Sequence, residues 1–225
     1  MAPMRTLYHS WFCPYSRKAR IVLAEKGLEV DLKIEKPWER RREFLALNPS
    51  GTVPVLIEAN GLVVADNHAI TEYLEEAYPE RNLMGETPQM RAEVRRLLWW
   101  FDAKFYREVT NYVVTEKVMK RFLRQGEPDS EALRVAAHNI RIHLDYIAYL
   151  ADRRDWLAGD RMTLADIAAA AHLSAADYLG AVPWESNERA KAWYMRIKSR
   201  PSMRPILKDF VAGLRPPAHY ADLDF

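Results

Sequence analysis

The residue best suited to nucleophilic chemistry is Cys13, the only cysteine of the 225-residue chain. It opens a Cys-Pro-Tyr-Ser turn between a predicted strand and a predicted helix. Pro14 suits the first position of a helix, so the sulfur of Cys13 would face unpaired N–H groups and the positive end of the helix dipole. Such surroundings lower the pKa of a thiol and favour the thiolate nucleophile. The competing interpretation is an inert small residue beneath the turn.

The segments around Cys13 predict a small α/β domain over residues 1–80. Residues 5–9 have the pattern of a strand, and the apolar periodicity of residues 16–27 predicts a helix that ends at a glycine. Alternation over residues 28–34 predicts a half-buried strand. A hairpin over 53–64 and a helix over 67–78 follow. The order βαβ and then ββα is that of the thioredoxin-like fold.

The second half of the sequence predicts an all-helical domain. Residues 81–88 are polar, contain a glycine and a proline, and predict a linker. The helical domain then covers residues 89–210, with helices over 89–124, 130–151, 164–176 and 187–199. Thr163 and Asp166 form a capping-box pattern at the start of an alanine-rich helix. Residues 211–225 are predicted to be an extended tail. The predicted fold class is therefore a thioredoxin-like α/β domain followed by an all-α domain.

The composition restricts the class of function. The chain has 33 Lys and Arg residues against 31 Asp and Glu residues, so its net charge of +2 does not favour nucleic acid as a partner. A single cysteine excludes an internal disulfide framework and agrees with a reducing cytoplasm. Residues 1–8 contain no apolar run of signal-peptide length, so we expect no signal peptide. No apolar run reaches the roughly 18 residues that a membrane span needs, so we expect no insertion into a membrane.

Several segments resemble the glutathione S-transferase superfamily, and the resemblance covers nearly the whole chain. In the first half they are the Cys-Pro-Tyr-Ser run within residues 10–20, the Asn-Pro-Ser-Gly-Thr-Val-Pro run from Asn48, and the Ala-Ile and Tyr-Leu pairs within 69–74. In the second half they are Gly159-Asp160, the capping box, and Trp193 with the Arg-Pro-Ser run from Arg200. The resemblance implies the two-domain fold of that superfamily.

The resemblance also implies site residues. In the superfamily, a Cys-Pro-x-Ser turn is typical of thiol-transferase branches, in which one cysteine forms a mixed disulfide with glutathione. Cys13 would then be the nucleophile, and Ser10 is the alternative, since serine-type members use a hydroxyl near this strand end to stabilise the glutathione thiolate. Val53 and Pro54 resemble the cis-proline turn whose backbone would bind the cysteinyl-glycine part of glutathione.

Asp66 and Asn67 depart from the superfamily's pattern. Glutathione-binding members usually carry Glu or Gln followed by Ser or Thr here, and the hydroxyl binds the γ-glutamyl carboxylate. Asn67 can still cap the following helix. The departure implies that glutathione binding is weakened or lost, so that Val53, Pro54, Asp66 and Asn67 would form a vestigial site and no cofactor is expected.

Two surfaces favour a protein partner. Trp38 follows a proline and precedes three arginines, and Trp and Arg are the residue types most enriched in interface hot spots. The three arginines are Arg40, Arg41 and Arg42. Residues 91–124 form a ridge with nine basic residues against four acids, in which we expect a partner to contact Glu116, Lys117, Lys120 and Arg121. The competing interpretation is a solvated face. No groove-reading motif accompanies the ridge, so we do not expect nucleic acid to bind it.

The tail combines aromatic and acidic residues after a Pro-Pro pair. These residues are Tyr220, Asp222, Asp224 and Phe225. They would suit a peptide that docks either on its own protein or on another one. If the tail docks elsewhere, deletion of residues 220–225 should leave the protein folded and impair a partner interaction.

Together, the tail, the Trp38 loop and the Asp66-Asn67 pair resemble one branch of the superfamily, the glutathione-transferase-like division proteins of bacteria that bind the tubulin-like FtsZ filament. This resemblance implies a cytoplasmic homodimer at the division site that binds FtsZ and further division proteins, with catalysis vestigial or absent. The alternative is a glutathione-dependent thiol transferase that uses Cys13 or Ser10. The fold does not decide between the two hypotheses.

Overall fold

The computed structural model describes residues 4–223, and the chain divides into two compact units, Met1–Asn82 and Leu83–Phe225. The first unit combines a four-stranded sheet with helices, whereas the second is helical. The predicted fold class is confirmed. The first helix of the second unit begins at Pro88, with Thr87 as its N-cap, one residue before the predicted start of the helical domain.

The first unit is built on a mixed sheet of four strands, β1 (Arg5–His9), β2 (Val30–Ile34), β3 (Val55–Ile57) and β4 (Val63–Ala65). Their order in the sheet is β2-β1-β3-β4. Strand β1 pairs in parallel with β2 and antiparallel with β3, and β3 pairs antiparallel with β4. The helices are α1 (Pro14–Glu25), α2 (Arg42–Leu47) and α3 (Asn67–Ala77). The predicted elements are present in the predicted order, and α2 is an additional helix that was not predicted.

Strand β2 differs from its predicted burial. Alternating apolar residues predicted one buried face, but Leu32 is 39% exposed and Ile34 is 46% exposed. The reason is topological, because β2 lies at the end of the sheet and pairs only with β1 among the strands of the described chain. The apolar side chains of an edge strand lie beyond the layer that covers the sheet's centre.

The second unit begins with a continuous helical run over residues 88–123. It consists of α4 (Pro88–Trp99), a π-helical stretch Trp100–Thr110, α5 (Asn111–Val114), a second π-helical stretch Thr115–Met119, and α6 (Lys120–Leu123). Four more helices follow, α7 (Ser130–Ala151), α8 (Leu164–Tyr178), α9 (Glu188–Lys198) and α10 (Arg204–Leu207). The bounds of α7 are those predicted from periodicity.

Helix α8 forms the centre of the second unit, and all its residues are buried. Its alanines allow neighbouring helices to approach closely. The capping box is present at its start, since the Thr163 side chain accepts from the N–H of Ala165 and Asp166 accepts from the N–H of Thr163. The predicted structural role of this motif is confirmed.

Candidate functional site

Cys13 is the N-cap residue of α1, and Pro14 is in the first turn, as predicted. The side chain is half-buried and packs against the cluster of Phe44, Val53 and Val55. Its Sγ lies 3.6 Å from the carbonyl oxygen of Val53. The turn thus holds the sulfur against β3 and the loop that precedes it.

The thiol of Cys13 is less acidic than the sequence suggests. Burial raises its pKa, and hydrogen bonds from Ser16 and the charge of Arg17 only partly oppose this rise. The N-terminal position on α1 would lower the pKa if the thiol stayed in water. The expected acidic thiol is therefore corrected, because desolvation of the thiolate outweighs the stabilisation by the helix N-terminus.

Ser10 lies beside the same turn but takes part in it through its backbone. Its carbonyl oxygen accepts from the N–H of Cys13 at 3.3 Å, and its own N–H donates to Oγ of Ser16 at 3.3 Å. Ser16 therefore closes the turn and links the end of β1 to the first turn of α1. The side chain of Ser10 is half-buried.

The sheet brings the predicted glutathione-site residues together at one end of its strands. The Val53–Pro54 peptide bond is cis, as predicted. Val55 is opposite Tyr8 of β1 and Ala65 of β4, so the loop that carries Cys13, the cis bond and the start of α3 lie at the same end of the strands. The spatial grouping of these positions follows from the fold.

The N-terminus of α3 is capped by Asp66 rather than by Asn67. Oδ1 of Asp66 accepts from the N–H of His68 at 2.7 Å and of Ala69 at 3.2 Å. Asp66 has φ of 84°, a conformation that is strained for a non-glycine residue. Asn67 is the first residue of the helix and only 3% exposed, so the expectation that it forms the cap is wrong.

This cap bears directly on glutathione. The N–H groups at the start of a helix attract anions, but here the protein's own carboxylate already accepts from two of them. A ligand carboxylate that used these two N–H groups would have to displace the Asp66 side chain.

The Trp38 loop has a different character. Trp38 is half-buried in a 3₁₀ turn, Pro37–Glu39, at the end of the extended segment after β2. Arg41 binds the buried carboxylate of Glu35, with distances of 2.5 and 3.3 Å, and so stabilises the loop. Arg40 and Arg42 are exposed, and their side chains form no ion pair or hydrogen bond within residues 4–223. Of the three arginines, these two are available to a partner.

The ridge residues that were expected to contact a partner form hydrogen bonds and an ion pair within the second unit. Glu116 is buried, accepts from the N–H of Asp129 at 2.7 Å and pairs with Lys120 at 2.6 Å. Lys117 donates to the carbonyl of Leu179 at 2.7 Å, and Arg121 donates to that of Gly213 at 2.8 Å. The four charged groups are therefore held by contacts within the unit, and a partner contact at these positions stays a prediction. Apart from the Glu116–Lys120 pair, which is four residues apart, these contacts join segments that are distant in the chain, so the sequence could not show them.

The described part of the tail docks on its own unit. Tyr220 is 0% exposed, and its hydroxyl donates to the carbonyl of Ile206 at 3.2 Å. Nζ of Lys198 donates to the carbonyls of His219 and Asp222 at 2.8 and 2.5 Å. The expectation that Tyr220 contacts a partner is therefore wrong, because its ring belongs to the core. Asp224 and Phe225 lie outside the described residues.

The anchor of the tail was missed by the sequence analysis. Nε2 of His219 lies 2.9 Å from Oδ1 of Asp177, a buried carboxylate on α8. Burial lowers the pKa of Lys198 to about 8, while the carboxylates of Asp177 and Asp222 act in the opposite direction. A buried lysine and aspartate on separate helices give no local pattern, so only the fold reveals that they hold the tail.

The described residues offer neither a cluster of metal ligands nor a membrane-spanning helix. Within residues 4–223, no group of three or more His, Cys, Asp and Glu side chains could hold a metal ion. Among the described helices, none is long and apolar enough to cross a membrane.

Comparison with known proteins covers both units. Family models for the glutathione S-transferase N-terminal and C-terminal domains match residues 12–77 and 113–201. A glutathione S-transferase from Rhodospirillum rubrum F11, of known crystal structure, is 56% identical, with a TM-score of 0.97 over 99% of this chain and 100% of its own. FtsZ-localized protein A of Caulobacter vibrioides is 52% identical over the full length of both chains. The solved structure of FzlA from C. crescentus has 52% identity and a TM-score of 0.96, over 99% of this chain and 100% of its own.

Proposed function

The chain belongs to the glutathione S-transferase superfamily, and we propose that it is a non-enzymatic adaptor of bacterial cell division that binds the FtsZ filament. Full-length similarity to FtsZ-localized protein A supports FtsZ as the partner and a position at the division site. A cytoplasmic location is part of the proposal. We include in the proposal a homodimer, the common state of this fold, and contacts with further division proteins.

The proposal that the protein is not an enzyme rests on one observation: the side chain of Asp66 caps the N-terminus of α3. Asp66 already accepts from two of the N–H groups at the start of this helix, where a ligand carboxylate would otherwise be attracted. The raised pKa of the Cys13 thiol points the same way, since a protonated thiol is a poor nucleophile. We therefore propose that the protein needs no cofactor and that its glutathione site is vestigial.

Trp38 provides the test of the partner. Because tryptophan hot spots commonly carry 2 kcal/mol or more, we expect Trp38→Ala to weaken co-sedimentation with polymerised FtsZ by about thirtyfold. Tyr149→Ala is the matched control, since Tyr149 is an exposed aromatic residue of α7, outside the proposed partner surfaces. It should bind like the unaltered protein.

Two results would contradict this proposal in different ways. If the unaltered protein does not co-sediment with FtsZ, the adaptor function fails. If Trp38→Ala lowers the melting temperature strongly and binds FtsZ normally, Trp38 is a core residue of its own unit and the partner surface lies elsewhere.

The second candidate is a thiol transferase that uses Cys13 or Ser10 with glutathione. It is favoured by the complete Cys-Pro-Tyr-Ser turn and by the similarity to the Rhodospirillum rubrum transferase. A transferase that relies on Cys13 requires a thiolate near neutral pH.

The thiol's titration decides the Cys13 form of that candidate. Because burial raises the pKa of Cys13, we expect its alkylation by iodoacetamide to have a pH midpoint above that of free cysteine, about 8.5. The urea-unfolded chain is the control and should titrate normally, and no other cysteine contributes. A midpoint below about 7 in the folded protein would instead favour the transferase.

A further inference from the structure

Glu35 is a buried carboxylate at the end of β2. It follows the strand directly, and its side chain is only 1% exposed. Its own N–H donates to the carbonyl of His9 at 2.8 Å, so its backbone is fixed to the last residue of β1. A buried carboxylate is stable only where hydrogen-bond donors surround it. In the described chain these donors come from Lys36 and Arg41, at the two ends of a short segment.

Arg41 supplies two of the donors. Its Nη2 lies 2.5 Å from Oε2 of Glu35, and its Nε lies 3.3 Å from Oε1, which is the forked arrangement of an arginine–carboxylate pair. The N–H of Lys36 donates to Oε1 at 3.2 Å. The exposed carboxylate of Glu43 lies 3.8 Å from Nη1 of Arg41 and contributes little in water. The fork between Glu35 and Arg41 therefore closes residues 36–40 into a loop.

The closed loop contains the turn that carries Trp38. Residues 36–40 have two backbone hydrogen bonds of their own, 2.9 and 3.2 Å long. Arg40 has φ of 47°, which is unfavourable for a residue with a side chain. Such a conformation persists where surrounding contacts fix it. The fork of Glu35 and Arg41 is the side-chain contact that spans this turn.

The backbone of Arg41 is fixed as well. Arg41 is the N-cap residue of α2, and its carbonyl accepts from the N–H of Leu45 at 3.0 Å. The fork thus joins two anchored points, the end of β2 and the start of α2, and Trp38 lies between them. A loop that orders only on contact with a partner weakens binding by the free energy of its ordering, and a preformed loop avoids that cost.

We propose that Glu35 is a positioning residue for FtsZ binding, which through its fork with Arg41 holds Trp38 and the two exposed arginines beside it in one arrangement before the filament binds. The burial of the Glu35 side chain keeps it from touching the filament itself. This inference rests on the proposed function and names how its contact surface is held ready. It also gives Arg41 a role different from that of its neighbours, because its guanidinium is paired within its own unit.

Glu35→Gln opens the fork without changing a residue that would touch the partner. Glutamine has nearly the same size and can still accept from the N–H of Lys36, but it carries no charge and offers Arg41 one acceptor oxygen in place of two. We expect this variant to bind polymerised FtsZ about tenfold more weakly in co-sedimentation, because the loop must then be ordered on binding. Amide hydrogen exchange over residues 36–42 should be faster in the free variant than in the unaltered protein.

Glu58→Gln is the matched control. Glu58 is also a buried carboxylate paired with an arginine, since its Oε2 lies 2.8 Å from Nε of Arg5 and its side chain is 3% exposed. This pair lies at the opposite end of the strands, because Arg5 begins β1 whereas Glu35 is bonded to the residue that ends it. The control should lower the melting temperature about as much as Glu35→Gln does. Exchange over residues 36–42 should be unchanged, and FtsZ binding should stay within about twofold.

A double variant distinguishes positioning from direct contact. Arg41 is partly in water, so Arg41→Gln also gives a second way to open the fork if Glu35→Gln is too unstable to purify. If the two side chains act as one unit, each single variant and the double variant should weaken binding by similar factors, about tenfold. If Arg41 touches the filament itself, the two losses should add to about a hundredfold in the double variant, which would overturn the proposal.

The outcomes separate this inference from the function on which it rests. If the unaltered protein does not sediment with FtsZ, both fail. If Trp38→Ala weakens binding and Glu35→Gln binds normally, the adaptor function stands and the positioning role of Glu35 is wrong. Unchanged exchange over residues 36–42 in Glu35→Gln would also overturn it, because the fork would then not hold the turn. If Glu58→Gln weakens binding as much as Glu35→Gln, lost stability is the cause and the positioning role fails.

Discussion

Replacement of Tyr220 by alanine is expected to lower the free energy of unfolding by about 3–5 kcal/mol, the range for removal of a large buried aromatic ring. The ring of Tyr220 is 0% exposed and meets that of Tyr178 edge-on, with centroids 5.0 Å apart. Its hydroxyl also donates to the carbonyl of Ile206. Alanine would leave a cavity between α8 and α10 and remove one of the hydrogen bonds to the Ile206 carbonyl, which also accepts from the N–H of Asp209.

Urea unfolding would measure this loss. Tyr220→Phe keeps the ring and removes one hydrogen bond, so it should lose only about 0.5–1.5 kcal/mol. Tyr149→Ala removes the same side chain from an exposed position and should lose less than about 1 kcal/mol. A Tyr220→Ala protein of unchanged stability that fails to bind a partner would restore the docking-peptide interpretation that the sequence suggests.

Deletion of residues 220–225 should act like Tyr220→Ala on stability. It removes the ring, and it also removes Asp222, whose carbonyl accepts from Lys198. That lysine is fully buried and would lose one of its two backbone acceptors. The sequence predicts that this deletion leaves a normally folded protein, whereas from the structure we expect it to destabilise the protein. A tail deletion cannot by itself identify a partner contact, because loss of folding and loss of binding would coincide.

The parts of the fold that were predictable are those that local patterns determine. The bounds of α7 follow from its apolar periodicity together with Asp129, which caps its first turn through the N–H groups of Glu131 and Ala132. The start of α8 follows from Thr163 and Asp166. In each case the residues that specify the element are within a few positions of one another, so one sequence suffices.

The parts that were not predictable depend on where an element lies in the fold. The alternation in β2 is that of a half-buried strand, and only the strand order shows that its apolar residues stand at the rim. Tyr220 has no periodic context, and its burial depends on α8 and α10. Charged residues such as Glu116 and Lys117 look like a surface in sequence, although their partners are far away in the chain.

The candidate site shows the same division. The sequence places Cys13 at a helix N-terminus, which favours a low thiol pKa. Hydrogen bonds from the backbone N–H groups of Tyr15 and Ser16 do lower the pKa of Cys13. Packing against Phe44 and Val53 acts in the opposite direction and prevails. Likewise, the departure at Asp66 was visible in sequence, but which residue caps α3 depends on the backbone conformation of Asp66, with φ of 84°.

Two regions of the first unit differ in how far their groups are already in contact within the unit. At the start of α3, Asp66 accepts from two of the backbone N–H groups. Along β2, the side chains of Leu32 and Ile34 are exposed at the outer edge of the sheet. The first observation supports the proposal that the glutathione site is vestigial.

Asp166 should be among the positions least tolerant of substitution, and we expect Asp166→Ala to lower the free energy of unfolding by about 4 kcal/mol or more. Its buried carboxylate accepts four hydrogen bonds. The donors are the N–H of Leu157, the N–H and hydroxyl of Thr163, and Nε1 of Trp193, at 2.9, 2.9, 3.2 and 3.1 Å. Alanine leaves these buried donors without an acceptor, and each orphaned group costs about 1–3 kcal/mol.

Asp129→Ala is the matched control for Asp166→Ala, because it removes an aspartate that also caps a helix but lies on the surface. Its loss should be about 1 kcal/mol, the usual value for an N-cap. Thermal unfolding should then separate the two variants by about 10 °C, since 1 kcal/mol shifts the midpoint of a chain of this size by about 2–4 °C. Equal shifts would mean that Asp166 acts only as a cap. In that case the hydrogen bonds to Leu157 and Trp193, which join the α8 N-terminus to the preceding loop and to α9, would contribute little to the stability of the second unit.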